Sequence, residues 1–255
     1  MDRITQAMNE MWQRGSFRSA AAILAGGWAI TWAVRDYTAW IQIKGGFPQN
    51  PLMWALSYVI HWSIGSNYAT HAHLKYLERL SIKDKTELLA SLPAREPPTP
   101  QLIKWSVPHR QLTQRTSPEM ISHLYTELRA LGARHDLLVA PSVREAHSGL
   151  ALYAIRMTQE SPQSPKPTFA ADLIHIHAED GSIHVTLHPK DALCVVRKSW
   201  GVRFPLAYCG IFSRGKKGDG LSDGLMLVYA PRNEAEVPII MKIIEAGVHY
   251  SLTTM

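Results

Sequence analysis

Four of the 12 histidines in this chain fall in one short run: His175, His177, His184 and His188 of DLIHIHAEDGSIHVTLHPKDA. The run alternates. Ile174, Ile176 and Ala178 interleave with His175, His177 and Glu179, and Ile183, Val185 and Leu187 interleave with His184, Thr186 and His188. Asp180-Gly181 lies between the halves and best supplies the positive-φ positions of a two-residue turn, so the spacing predicts a β-hairpin. Counted outward from that turn, Ala178 meets Ile183, His177 meets His184, Ile176 meets Val185 and His175 meets Thr186. Side chains change face at every residue, so one face is aliphatic and the other carries the imidazoles. Directly opposed Cβ atoms lie about 5 Å apart, which brings His177 and His184 within reach of each other or of a shared ligand.

Such a face has three readings. It is a solvated polar surface, or a patch that does acid/base work or holds an anion, or a metal site. His-x-His with a cross-strand His supplies three imidazoles, yet no Cys, Asp or Glu stands at a recognisable ligand spacing. No metal ligand is therefore assigned. The chain has no nucleophile elbow, phosphate loop or zinc-protease helix. Ser182 sits in a hairpin rather than at a strand-to-helix turn, which argues against a hydrolase nucleophile.

The elements that must carry this ribbon read as α+β. A helix starts at Ser117-Pro118, with Ser117 as N-cap and Pro118 at the first helical position, and ends at Gly132. Strands follow at Leu137–Ala140 and Leu150–Met157, then a turn over Ser161–Pro167, then the hairpin. A helix from Pro189 to Ser199, a strand at Leu225–Tyr229 and a final helix capped by Asn233 complete the order. Helices are expected on the aliphatic face of a mainly antiparallel sheet, with the histidine face open or lidded by the N-terminal helices. Thr70 to Leu92 reads as one helix, with His71 and His73 exposed at its start. Four prolines between Ser91 and Pro100 mark a linker. The expected organisation is an N-terminal hydrophobic helical region over 1–92, a linker over 93–104 and an α+β domain over 105–255.

The 255 residues are 46% hydrophobic with a net charge of +6. The basic residues are scattered apart from Arg214-Gly215-Lys216-Lys217, read as an exposed loop, and no nucleic-acid fingerprint accompanies them. Two cysteines, Cys194 and Cys209, do not make a disulfide scaffold. Trp12, Trp28, Trp32, Trp40, Trp54 and Trp62 crowd the N-terminal quarter. Residues 19–34 carry no charge but interrupt their run with Gly26-Gly27, and the run is shorter than the ~20 residues a bilayer requires. With the apolar Pro51–Ile64 stretch, it suits contact with a membrane surface through residues 19–64, or packing on a domain. The expected location is intracellular, with membrane association through these helices.

RDYTAW with GGFP, PHRQ (Pro108–Gln111), REAH (Arg144–His147), the histidine run, SWGVRFPLA and YAPR recur in that order in one family. The chain resembles the fungal luciferase domain-containing proteins along nearly its whole length. The resemblance implies a site drawn from His109, Arg110, Gln111, Glu145, His147, His175, His177, Asp180, His184, Trp200, Arg203 and Arg232. Around Arg203 the family tends to have Glu and His. Here Val202 and Phe204 stand instead, an apolar wall in place of a second histidine. Nothing in the residues points to flavin or light emission, and no dinucleotide glycine fingerprint is present.

Imidazoles, Arg and Gln beside many aromatic side chains suit a greasy, polyfunctional small molecule whose carbonyl or carboxylate is polarised. The expected function is a cyclase or isomerase of natural-product biosynthesis that needs no cofactor. His177 and His184, with His175 and His109, would do the acid/base work. Arg110 or Arg203 would anchor an acidic group, and Gln111, Glu145, His147, Trp200 and Arg232 would complete the binding surface. The alternatives are a membrane-associated binding or accessory protein without chemistry of its own, and a metal-dependent enzyme using the histidine cluster.

Overall fold

The computed structural model describes residues 2–43, 45, 48–65, 71–81, 87–155, 166–168, 171–208 and 224–254. Cys209, the Arg214–Lys217 loop, the side chains of His71 and His73 and most of the Ser161–Pro167 turn lie outside the described residues. The chain forms two compact units, Met1–Ile43 with Gln49–Trp54, and Lys44–Pro48 with Ala55–Met255.

In the first unit the polar start and the uncharged run form one helix, α1 (Asp2–Ile41). Ala, Leu, Ile and Trp propagate it through Gly26-Gly27, whose cost in an exposed helix is about 1 kcal/mol each. The uncharged run is apolar on all sides, and Ile23, Leu24, Trp28 and Ile30 are exposed. No described helix is long and apolar enough to cross a membrane. Asn50 Oδ1 accepts from Met53 N at 2.9 Å and so caps α2 (Pro51–Ile60), with Pro51 at its first position. Trp54 donates from Nε1 to Asp36 Oδ2 at 2.9 Å, and the Trp32 and Tyr37 rings lie against it.

In the second unit α3 (His71–Ser81) is shorter than the expected Thr70–Leu92 helix. Residues 87–92 leave helical geometry: Leu88 and Leu89 donate their backbone N–H groups to Asp191 Oδ1, and Leu89 is buried. The remaining elements are α4 (Pro118–Arg134), β1 (Leu138–Pro141), β2 (Leu150–Tyr153), β3 (Asp172–Ile176), β4 (Ile183–Thr186), α5 (Pro189–Arg197), β5 (Gly201–Arg203), β6 (Leu225–Val228) and α6 (Val237–Thr254). This is the α+β order that the sequence predicts. Ser117 caps α4 as expected, accepting from Met120 N. Asn233 accepts from Glu236 N, though a 3₁₀ turn at Glu234–Glu236 comes before α6 begins.

The sheet is antiparallel throughout, in the order β1-β2-β3-β4-β6-β5. One face is aliphatic: Leu150, Leu152, Ile174, Ile176, Ile183, Val185, Met226 and Val228 form a single core with α4, α5 and α6. The proline-rich stretch belongs to the same unit and is fastened to it. Arg95 is buried and donates to Ala230 O at 2.9 Å and to Glu236 Oε2 at 3.1 Å.

The hairpin register differs from the two-residue turn. His175 opposes His184, Ile176 opposes Ile183 and Ile174 opposes Val185. The connection is Ala178–Gly181, closed by His177 N donating to Ser182 O at 2.9 Å and Gly181 N donating to His177 O at 3.0 Å. Asp180 is the reason. Its Oδ1 accepts from Ser182 N and Ser182 Oγ, and its Oδ2 accepts from Gln111 N at 2.7 Å. Those bonds need the aspartate inside the turn, so the ribbon opens by two residues. A shift of two keeps every side chain on its expected face.

The β1–β2 connection holds a 3₁₀ turn, Val143–Glu145, over the polar face. It depends on Gly149, whose φ is +75° and whose backbone passes against the Ile176 carbonyl so closely that a Cβ would collide with that oxygen. Gly149→Ala should cost about 1–2 kcal/mol for the left-handed backbone alone, and more for the collision. A thermal melt of the variant is expected to show a lowered midpoint; an unchanged midpoint would mean that this turn is not held as described.

Candidate functional site

Strand parity carries Ala151 and Tyr153 of β2, His175 of β3, His184 of β4, Leu227 of β6 and Val202 of β5 to the face opposite the aliphatic core. His177 continues that row past the end of β3. The face is not open. It is covered by the segment from Leu102 to Gln111, pinned by the Leu102–Gln111 bridge and by Ile103 N donating to Arg110 O, and by the Val143–Glu145 turn. The solvated-surface reading is thereby overturned: His177 is 1% exposed, His175 3%, His184 6%, His109 2% and Arg110 4%.

The rings of His175, His177 and His184 lie 5.0–5.4 Å apart, centroid to centroid. Each Nδ1 faces a different acceptor. That of His175 meets Asp172 Oδ1 at 3.0 Å, and that of His184 meets the Met226 carbonyl oxygen at 3.0 Å. That of His177 meets Ser182 Oγ at 2.8 Å, and this hydroxyl spends its own proton on Asp180 Oδ1 at 2.8 Å. A carboxylate, a carbonyl and a hydroxyl already donating elsewhere can only accept, so all three rings carry their proton on Nδ1. The three Nε2 atoms are left as lone pairs facing one another. One nitrogen of each ring lies within 4.8 Å of the other two.

Two charged side chains border this centre. Glu145 Oε1 lies 3.4 Å from His175 Nε2 and 3.7 Å from His177 Nε2, and Glu145 Oε2 pairs with Arg110 Nη2. Arg110 Nη1 donates to the His109 carbonyl at 3.0 Å and lies 3.0 Å from His177 Nε2. The His109 ring stands 5.6 Å from that of His184, and the Phe204 ring packs edge-on to both. With Val202 beside Leu227, Phe204 forms the apolar wall expected from its place in the sequence.

Burial drives the His177 and His184 pKa values well below the usual histidine range, helped by the Arg110 cation and the neighbouring rings. His109 is lowered to about 3 by burial and by Arg110. Burial also pushes the Asp180 carboxyl up, while Arg110 and the donors from Ser182 and Gln111 pull it back.

Other residues named from the sequence lie apart. Gln111 is a tether, accepting at Oε1 from Ala230 N and donating from Nε2 to Gln114 O. His147 is exposed, with a left-handed φ of 66°. Trp200 packs in the aliphatic core and donates from Nε1 to Pro93 O at 2.7 Å. Arg203 pairs in register with Met226, a residue of the core face; its guanidinium stacks over Tyr76 at 4.6 Å and donates to Ala207 O. Arg232 pairs with Glu236. His188 caps α5 by accepting from Lys190 N, and its ring lies against Tyr250. The sequence reading missed Asp172 and Ser182. An extra residue in β3 shifts the β2–β3 register between Leu152 and Tyr153, a bulge that turns Asp172 onto the histidine face against simple alternation.

Neutral buried imidazoles set a pH limit. For His109 the unfolded pKa is near 6.5 and the folded pKa about 3, so the unfolded chain binds more protons between those values. Stability is therefore full above pH 6.5 and is lost as pH falls toward 3, by about 1.4 kcal/mol per pH unit for each such histidine. The denaturation midpoint of chelator-treated protein should fall steadily below pH 6.5. A flat midpoint from pH 7 to pH 5 would contradict buried, neutral rings.

Residues 171–247 match the family model of the Luciferase domain. Along 98% of its length the chain is 24% identical to a luciferase of Neonothopanus nambi, 92% of which is covered. Luciferases of Armillaria gallica and Armillaria mellea are 36% identical over 80 residues, 31% of this chain and 27% of each relative. No solved structure matches the chain. The matched domain holds Asp172, His175, His177, Asp180, Ser182 and His184, whereas Glu145, His109 and Arg110 come from outside it. By its motifs, its matched domain over residues 171–247 and its likeness over nearly the whole chain, the protein is similar to the fungal luciferases.

Proposed function

We propose that the chain is an enzyme that moves a proton on a hydrophobic small molecule, isomerising or cyclising it in natural-product biosynthesis. The observation that supports this most is the set of convergent, neutral imidazoles beside one guanidinium, in a place that side chains shield from water. A neutral imidazole nitrogen can take a proton from carbon next to a carbonyl, breaking the C–H bond and leaving an enolate. Arg110 then stabilises the oxygen that gains the charge. Return of the proton at another carbon isomerises the molecule; attack of the enolate carbon on a second electrophilic carbon closes a ring. The relatives are named for a catalytic activity, which favours an enzyme over a passive binder. Phe204, Val202 and Leu227 make the adjoining surface apolar.

Incubation with a panel of β-dicarbonyl compounds in deuterium oxide tests this reading by mass spectrometry. Wild-type protein should speed exchange of the acidic C–H. Arg110→Met should lower that rate by about 10²–10³-fold. No acceleration by the wild type across the panel would remove the proton-transfer reading.

A specific observation also supports a membrane-facing role for α1. A helix segment apolar on all sides is ordinarily covered, and residues 19–34 are about 24 Å long, less than the ~30 Å hydrocarbon core, which suits shallow insertion. Full-length protein should float with vesicles of phosphatidylcholine and phosphatidylserine, and Ile23→Glu with Trp28→Glu should leave it in the dense fraction. Flotation unchanged by both substitutions would dismiss α1 as the contact.

A further inference from the structure

We infer that His175, His177 and His184, with Glu145 as a fourth ligand, form a binding site for one divalent first-row transition-metal ion. The inference deepens the catalytic reading of the same pocket by naming the cofactor it would hold.

The argument starts behind the rings. Asp172, the Ser182–Asp180 pair and the Met226 carbonyl each occupy an Nδ1, and these are the kinds of partner that metal-bound histidines have on their outer nitrogen. They leave three Nε2 lone pairs and a carboxylate oxygen pointing inward. Acceptors cannot bond to acceptors, and buried polar atoms without partners are costly. Arg110 Nη1 answers His177, but His175 Nε2 has no hydrogen-bond partner although the residue is buried. A cation that accepts electron pairs satisfies all four groups at once.

The donor set has a consistent preference. Imidazole nitrogens with one carboxylate suit zinc, iron, cobalt, nickel or copper over magnesium or calcium, which seek oxygen. Nitrogens bound at about 2.0–2.1 Å stand about 3–3.5 Å apart around one ion. The present limit of 4.8 Å therefore asks only small ring rotations on loading. Arg110 does not obstruct this. Its Nη1 keeps the His109 carbonyl when it releases His177, and its Nη2 keeps Glu145 Oε2 while Oε1 turns to the ion. His109 stays outside the ligand set, beside His184.

The test uses the full chain, stripped with chelator and titrated with Co²⁺ alone, followed by calorimetry and visible absorption. One equivalent per chain with ligand-field bands is expected. His177→Gln and His184→Gln should each weaken binding by at least about 100-fold, and Asp172→Asn by about 10–100-fold with the ligands intact. Circular dichroism melts of each variant establish that it is folded. Failure of wild-type protein to take up one equivalent overturns the site, as does uptake that folded His177→Gln and Asp172→Asn leave unchanged. Cobalt bound without deuterium exchange would sink the proton-transfer reading and leave the site standing; exchange by protein that binds no cobalt would do the reverse.

Discussion

The polar face depends on the hydrogen bonds behind its imidazoles. A histidine in a protein interior has two tautomers of similar energy, and only its surroundings choose between them. Here Asp172, Ser182 and the Met226 carbonyl all choose the same one. Each acceptor comes from a different source: a bulged strand start, a turn hydroxyl oriented by Asp180, and the backbone of the neighbouring strand. Their agreement gives the rings a common polarity, with hydrogens outward and lone pairs inward. Without it the same three side chains would be a patch of polar surface with no shared direction.

That arrangement has to be held against the cost of burying it. The aliphatic face carries the burden, since Ile174, Ile176, Ile183 and Val185 alternate with the histidines and enter the core under α4 and α6. Each residue of the ribbon thus serves one side. Asp180 adds a second economy, for one carboxylate closes the hairpin turn and also accepts the backbone of Gln111, next to Arg110. The turn that sets His177 and the strand-like segment that brings the guanidinium are fixed by the same group.

Much of this was legible in the chain itself. Alternation of Ile and His fixed which residues share a face, because a period of two survives any even change of register. Ser117-Pro118 and Asn233 announced helix starts through backbone N–H groups that need an acceptor, and each does cap. The turn itself was not legible. Asp180-Gly181 satisfies the rule for a two-residue hairpin, but the rule ignores a carboxylate that finds better donors in Gln111 and Ser182. Asp172 was hidden by the bulge, which reverses its parity. Trp200 and Arg203 stand near the site in the sequence, yet one fills the core and the other leaves from the core-facing register of β5. Glu145 and Arg110 came to notice through likeness to a family; spacing alone gives no reason for two segments so far apart to meet.

Arg95 carries a consequence of its own. By composition, the prolines around it describe a tether that proteases would find readily, since cleavage favours exposed, extended chain. Its guanidinium instead lies between the rings of Trp200 and Tyr229 and reaches the Ala230 carbonyl and Glu236. Cutting the backbone there would require pulling a cation out from between two aromatic side chains first. Trimming the protein at its prolines would therefore remove part of the α+β body along with what looks like a spacer.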